Sequence, residues 1–336
     1  MADGAFDGVI ALDTTAAIIV DRWTTKGLIS APVVGLNSRL CLDSAWRRHV
    51  DRLLVVDERQ AEAARAAGFA PEDVQVVGVL PGPRIAASAR MARSALRERF
   101  GLALDVPVVL IVVEGLDELT TVLFQTTLIS VPCQILFDVK DDKEAAALLR
   151  RRAKGFGVRA QIFGRVDEAA DLWASADVIV ARPTPRVETR AVFLREALVA
   201  VVDDEAELRV GEAFRQREIG RTVGNMTLLA SEVEAQLVDL KATRERLEAE
   251  PRGELRALVG VVREILQAGE ALMAKRAVAR RGLGVRVSAP GTTGEAEAEG
   301  PKSSSPLEAI GPDEGEVATA AARDEELDAA GAEINA

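Results

Sequence analysis

Histidine and cysteine are nearly missing from this sequence: His49, Cys41 and Cys133 are the only ones among 336 residues. Two cysteines so far apart argue against a disulfide framework, and with one histidine they argue against a Cys/His zinc site. Long apolar runs are lacking too. The longest, such as Val106 to Val113, fall well short of the ~20 residues that span a bilayer. No charged and then apolar leader with a small-residue cleavage site follows Met1, so a cytoplasmic protein is expected.

What is present supports a globular body. Apolar residues make up 48% of the chain, and its length suffices for two modest domains with cores of their own. The net charge of −11 is uneven: twelve acidic residues against Lys302 and Arg323 lie between Glu295 and Ala336, which leaves the preceding body near neutrality. The body therefore has no global field to select nucleic acid, and no nucleic-acid partner is expected. From residue 288 onward Gly, Pro, Ser, Thr, Ala and Glu dominate without an aromatic residue or a sustained period, so an acidic, disordered tail is expected over 288–336.

Apolar strands alternate with amphipathic helices along the rest. Strands are expected at Phe6 to Leu12, read as buried, and at Ala31 to Leu36, Arg52 to Asp57 and Val74 to Val79, with helices over Thr14 to Thr25 and Glu58 to Ala67. A linker helix over Ala86 to Phe100 leads to strands at Asp105 to Val113 and Gln134 to Asp138, with helices Leu116 to Ile129 and Lys140 to Gly155. Between Gln161 and Val202 the pattern is βαβαβ, and Arg182 to Thr189 reads as a Pro-broken loop at a strand end, where ligands of parallel α/β sheets sit. A charged helix over Thr227 to Glu250 stops at Pro251. A last helix over Gly253 to Arg281, with Leu255, Leu258, Val259, Val262, Ile265, Leu266, Leu272 and Met273 on one face, is expected to pack on the body.

The residues FGRVDEAADLWASADVIVARP resemble the second domain of GT-B glycosyltransferases. The nearest group is the monogalactosyldiacylglycerol synthases and the GlcNAc transferase of peptidoglycan lipid intermediates, with the pattern G-F-x-D-x-M-x-x-L-M-x-x-A-D-x-x-x-x-K-P-G-G-x-T-x-x-E. Pro32 to Val34, Trp46, Val50 to Arg52 and Val74 to Pro83 resemble the later part of the first domain, and Arg217 to Asn225 the segment after the donor loop. The resemblance spans Phe6 to Leu237. It implies an α/β fold of two Rossmann-like lobes of GT-B type, the first N-terminally truncated, followed by C-terminal helices and the acidic tail. The divisions are 1–85, linker 86–104, donor-type lobe 105–226, helices 227–287 and tail 288–336.

The scaffold half of the pattern matches while the chemical half does not. K-P-G-G-x-T-x-x-E falls on Arg182, Pro183, Thr184, Pro185, Arg186, Val187, Glu188, Thr189 and Arg190; Pro185 has no N–H for a diphosphate, and Arg190 cannot accept from a ribose hydroxyl. The family's G-G-G falls on Val113, Glu114 and Gly115, and its G-Q-E-x-x-N-A on Glu205 to Gly211, where Glu207 is the acid that remains. Its T-D pair falls on Ser38 and Arg39, and its nearby histidine on Asp43. Four altered elements imply a catalytically degenerate, glycosyltransferase-like binding or scaffold protein with no cofactor and no metal. The alternative is an active UDP-sugar-dependent transferase to a lipid or glycan acceptor. The substrate-binding candidates are Glu114, Gly115, Arg182, Thr184, Arg186, Arg190 and Glu207, in a degenerate donor cleft with vestigial nucleotide-sugar binding.

Simpler readings stand beside these. Arg182, Arg186 and Arg190 form either an anion site or a solvated face paired with Glu188 and Glu196. His49 is a general base or a structural hydrogen bonder beside Trp46. Asp203, Asp204, Glu205 and Glu207 bind a hard cation or water. Lys275, Arg276, Arg280 and Arg281 touch anionic lipid at a membrane periphery or complement a helix dipole. The truncated first lobe is expected to be covered by a second copy or another protein.

Overall fold

The computed structural model describes residues 6–43, 45–46, 49–157, 160–164, 169–269, 271–274 and 278. The expected acidic tail and the basic cluster Lys275, Arg276, Arg280 and Arg281 lie outside them. The described chain forms two parallel sheets covered by helices, the two α/β lobes of a GT-B fold.

In the first lobe the strands β1 (Val9–Ala11), β2 (Val33–Leu36), β3 (Arg52–Val55) and β4 (Val74–Val76) pair in that order, all parallel. The crossovers include α1 (Thr14–Thr25) and α2 (Glu58–Ala66), and Asp13 and Asp57 cap them by accepting from Ala16 N–H at 2.7 Å and Gln60 N–H at 2.8 Å. Strands β2 and β3 read as unbroken apolar runs because both faces are covered. Leu53 and Val55 pack with Trp46, Ala61 and Phe69, while Val34 and Leu54 meet Ile265 and Leu272 from the far end of the chain. The stretch Phe6 to Leu12 is not the buried strand expected: only Ala11 is buried, and Phe6, Ile10 and Leu12 are exposed, since β1 is an edge strand.

Two short helices, α3 (Pro83–Ser88) and α4 (Arg93–Arg99), replace the single linker helix. Arg97 explains why α4 sits where it does. Its buried guanidinium donates to the carbonyls of Ser175 and Leu104 and to Asp177.

The second lobe follows with β5 (Val108–Val112), α5 (Leu119–Thr127), β6 (Gln134–Lys140), α6 (Lys143–Phe156), β7 (Ala160–Gly164), α7 (Ala169–Ala174), β8 (Val178–Ala181), α8 (Pro185–Leu194), β9 (Ala197–Val201), α9 (Glu205–Gln216) and β10 (Gly220–Val223). Its parallel strands are ordered β10-β9-β8-β5-β6-β7. The chain winds outward from β5 in both directions, so the topological switch point lies between β5 and β8.

The charged helix expected over Thr227 to Glu250 breaks at Asp239 into α10 (Leu229–Val238) and α11 (Leu240–Ala249). Pro251 then turns the chain back. Val79 N–H donates to Pro251 O at 3.0 Å and Gly253 N–H to Val79 O at 2.9 Å. A Cβ on Gly253 would stand 2.2 Å from the Val77 carbonyl oxygen, so this crossing requires glycine. The last helix, α12 (Leu255–Gln267), packs Leu258, Val261, Val262 and Ile265 onto the first lobe. Leu255 and Val259, placed on that face from sequence, are exposed instead. Among the described residues no helix is long and apolar enough to cross a membrane.

Candidate functional site

The switch point places the ends of β5 and β8 side by side. Beyond β5 come Val113, Glu114 and Gly115, with Gly115 at φ +81. Beyond β8 come Arg182, Pro183 and Thr184, and α8 then begins at once. The loop expected over Arg182 to Thr189 is therefore much shorter. Proline suits the first turn of a helix, and the Thr184 hydroxyl accepts from Val187 N–H at 3.3 Å, so Arg186, Glu188, Thr189 and Arg190 are helical residues. This helix start offers few donors to an anion: Pro185 has no N–H, Val187 is taken by the Thr184 hydroxyl, and Glu188 N–H donates to the Thr184 carbonyl.

Arg182 links the two strand ends. Its Nε and Nη2 donate to the two oxygens of Glu207 at 2.9 and 3.0 Å, and its Nη1 donates to Gly115 O at 3.2 Å. Asp203 Oδ2 lies 3.2 Å from Nη2. The Glu207 hydrogen bonds raise the Arg182 pKa. The acidic run Asp203 to Glu207 thus divides by role: Asp204 caps α9 by accepting from Glu207 N–H at 2.8 Å, while Asp203 and Glu207 neutralise Arg182. Among the described residues no group of three or more His, Cys, Asp or Glu side chains is placed to hold a metal ion.

Glu114 pairs with Lys140, at the end of the neighbouring strand, and that hydrogen bond lowers its carboxyl below the ordinary range, with Arg186 and Arg190 assisting from a distance. Arg190 lies over the Trp173 ring, 5.0 Å from its centroid, and burial lowers its pKa. Of the seven candidates, Gly115, Arg182 and Glu207 are joined directly, Glu114 is held by Lys140, Thr184 caps α8, and Arg186 and Arg190 stand on α8.

The expected pairing of these arginines with Glu188 and Glu196 does not occur. Glu188 faces the first lobe and accepts from Arg39 Nη2 at 2.8 Å and from Leu40 N–H at 3.2 Å. Burial raises its carboxyl while Arg39 lowers it. Glu196 is fully buried and its carboxylate makes no hydrogen bond among the described residues. Beside Leu40, Arg217 Nη2 donates to the Leu40 carbonyl at 3.1 Å and to Asp57 at 2.6 Å. These ties across the lobes are invisible in sequence, although Arg39 stands where the resembled family has an acid. His49 Nδ1 lies 3.0 Å from Asp21 Oδ2 on α1.

Two parallel α/β lobes with a mouth at the β5/β8 switch point define a GT-B-type chain. No family model matches it, and no curated protein matches it in sequence. Solved structures do resemble it. UDP-GlcNAc 2-epimerase from Neisseria meningitidis, bound to UDP-GlcNAc, aligns with a TM-score of 0.52 and 12% identity over 77% of this chain and 76% of that one. A glycosyltransferase from Rickettsia africae aligns at 0.47 with 12% identity over 77% and 76%, and Anabaena HepE in complex with UDP at 0.46 with 14% identity over 78% and 79%. At these identities the likeness is one of fold, and the epimerase alignment carries it.

Proposed function

We propose that this chain is a glycosyltransferase-like protein with a degenerate donor site, acting as a binding or scaffold component. The observation behind this reading is the bidentate Arg182–Glu207 pair at the switch point. A nucleotide-sugar diphosphate in that mouth would compete with Glu207 and Asp203 for the same guanidinium and would meet Glu114 as well. The start of α8 offers few N–H groups in compensation.

A binding role needs a face. Ile10 and Leu12 around β1, with Ile19, Trp23 and Leu28 on and after α1, are exposed large apolar side chains on the edge of the first lobe. Exposed apolar side chains beside a strand edge that is unpaired among the described residues suit cover by a second copy or another protein. A cytoplasmic location accompanies this reading.

Isothermal titration with UDP, UDP-glucose and UDP-GlcNAc tests it, since two of the similar structures hold a uridine nucleotide. No binding at micromolar concentration is expected. Micromolar binding together with turnover on a lipid or glycan acceptor would overturn the proposal and establish an active transferase.

A further inference from the structure

A cavity of about 280 Å³ lies away from the switch point, around the start of β9 and the connections between the lobes. Ala89 and Met91 reach it from the first connection, Arg252 from the second, and Arg93, Arg195 and Arg244 complete a ring of four arginines. Glu248 is the one carboxylate lining it, 3.7 Å from Arg195. Beneath lies Asp177, whose buried carboxylate is shared by Arg93 at 3.0 Å, Arg97 and Arg244. Asp177 also accepts from Val108 N–H at 2.7 Å.

The charges do not balance. Asp177 serves three guanidinium groups and Glu248 serves Arg195, leaving a cationic surplus around the cavity. Glu196 does not restore the balance, because complete burial holds its carboxyl toward the neutral form. Arg252 lies 5.0 Å over the Phe193 ring with Arg195 nearby. Guanidinium groups gathered in surplus around a concave site, with the Arg195 and Arg244 side chains partly exposed, match the charge and geometry of phosphate.

We propose that this arginine-lined cavity binds a small phosphorylated ligand, a phosphate monoester or free phosphate, between the two connections of the lobes. Its volume sits just below the ~300–1,000 Å³ of drug-sized ligand sites, which suits one phosphate with a small substituent. A polyanion would be drawn by a basic field over the whole body, and the body is near neutrality. The site stands apart from the degenerate mouth, so it does not depend on the reading given for Arg182.

The test uses the full chain at constant ionic strength, with inorganic phosphate and glucose 6-phosphate as probes in calorimetry and thermal melting. Saturating probe raises the melting temperature. The double variant Arg195→Gln/Arg252→Gln spares every partner of Asp177, so its unliganded melting temperature stays near that of the parent, while affinity drops at least about tenfold. Arg65→Gln, on α2 of the first lobe and outside the cavity lining, breaks an exposed pair with Glu58 and leaves affinity unchanged. Tighter binding of the sugar phosphate identifies an ester as the ligand, and equal binding identifies phosphate itself. Absence of any heat or shift with both probes overturns the proposal, as does affinity retained in the double variant or lost in Arg65→Gln.

Discussion

Arg39 of the first lobe holds Glu188 of the second, its Nε and Nη2 donating to one carboxylate oxygen at 3.0 and 2.8 Å. Leu40 N–H donates to the other oxygen at 3.2 Å, and the Leu40 carbonyl accepts from Arg217. The segment Arg39–Leu40 is therefore gripped from the second lobe through both its backbone and its side chain. Glu188 is only 1% exposed, so the pair is shielded from salt on one side.

Arg39→Ala strands a buried carboxylate with a single N–H donor. It should lower unfolding stability by about 2–4 kcal/mol, near the range for breaking a buried pair from one side. Glu188→Gln removes the charge along with the need for its partner and should cost less. Urea unfolding of both variants checks this order. A loss for Arg39→Ala no larger than that for Arg215→Ala, which breaks an exposed pair with Glu212, would show that the contact does not fasten the lobes.

Glu196 predicts a pH dependence. Burial raises its carboxyl well above the ordinary range, with Arg93 opposing. The native chain then keeps a proton that the unfolded chain has already released. Stability from this group is full below the ordinary carboxylate value and falls as pH climbs to the raised value. Glu188 and Glu250, also raised by burial, act in the same direction. Melting temperatures of Glu196→Gln between about pH 5 and 8 should fall less steeply than those of the parent. An unchanged slope would contradict the assignment.

Gly115→Ala should cost about 1–2 kcal/mol from the left-handed backbone alone. The new Cβ would also stand 2.8 Å from Arg182 Cδ and push the guanidinium off Glu207. Chemical denaturation measures the loss. A variant as stable as the parent would mean that the turn relaxes without strain.

The exposed apolar side chains at the edge of the first lobe make Ile10→Lys and Trp23→Lys informative. Both side chains are largely outside the core, so thermal stability should change little. Association of the full chain, followed by light scattering at micromolar concentration, should weaken. A parent chain that scatters as a monomer, with variants no more soluble than it, would remove the case for a covered face.

Helix starts were legible in the sequence at Thr14 and Glu58, where Asp13 and Asp57 cap; Asp142 and Asp204 cap as well, but α6 begins three residues after the expected Lys140, and α9 grows from an acidic run read as a site for a cation or water. The start of α8 was not legible, because Pro183 and Pro185 read as breakers although the second suits a first helical turn. Phe6 to Leu12 misled in the opposite way. Its apolar content looked like a core strand, but an edge position leaves Ile10 in solvent. Gly115 and Glu207 were named in the sequence through the GT-B motif resemblance, and Arg182 also as a residue at a strand end; the parallel sheet brings the three to one side.

By itself, the sequence determined the two parallel lobes. Runs such as Val108–Val112 and Ala197–Val201 bury every residue, and strands of that kind require helices on both faces. The tertiary structure alone decided the partners of the charges. Glu188 lies six residues from Arg182, yet it pairs with Arg39, 149 positions away, while Asp177 gathers Arg93, Arg97 and Arg244 from two separate helices. Ion pairing follows distance and desolvation in the packed chain, and neither is written in the local order of residues.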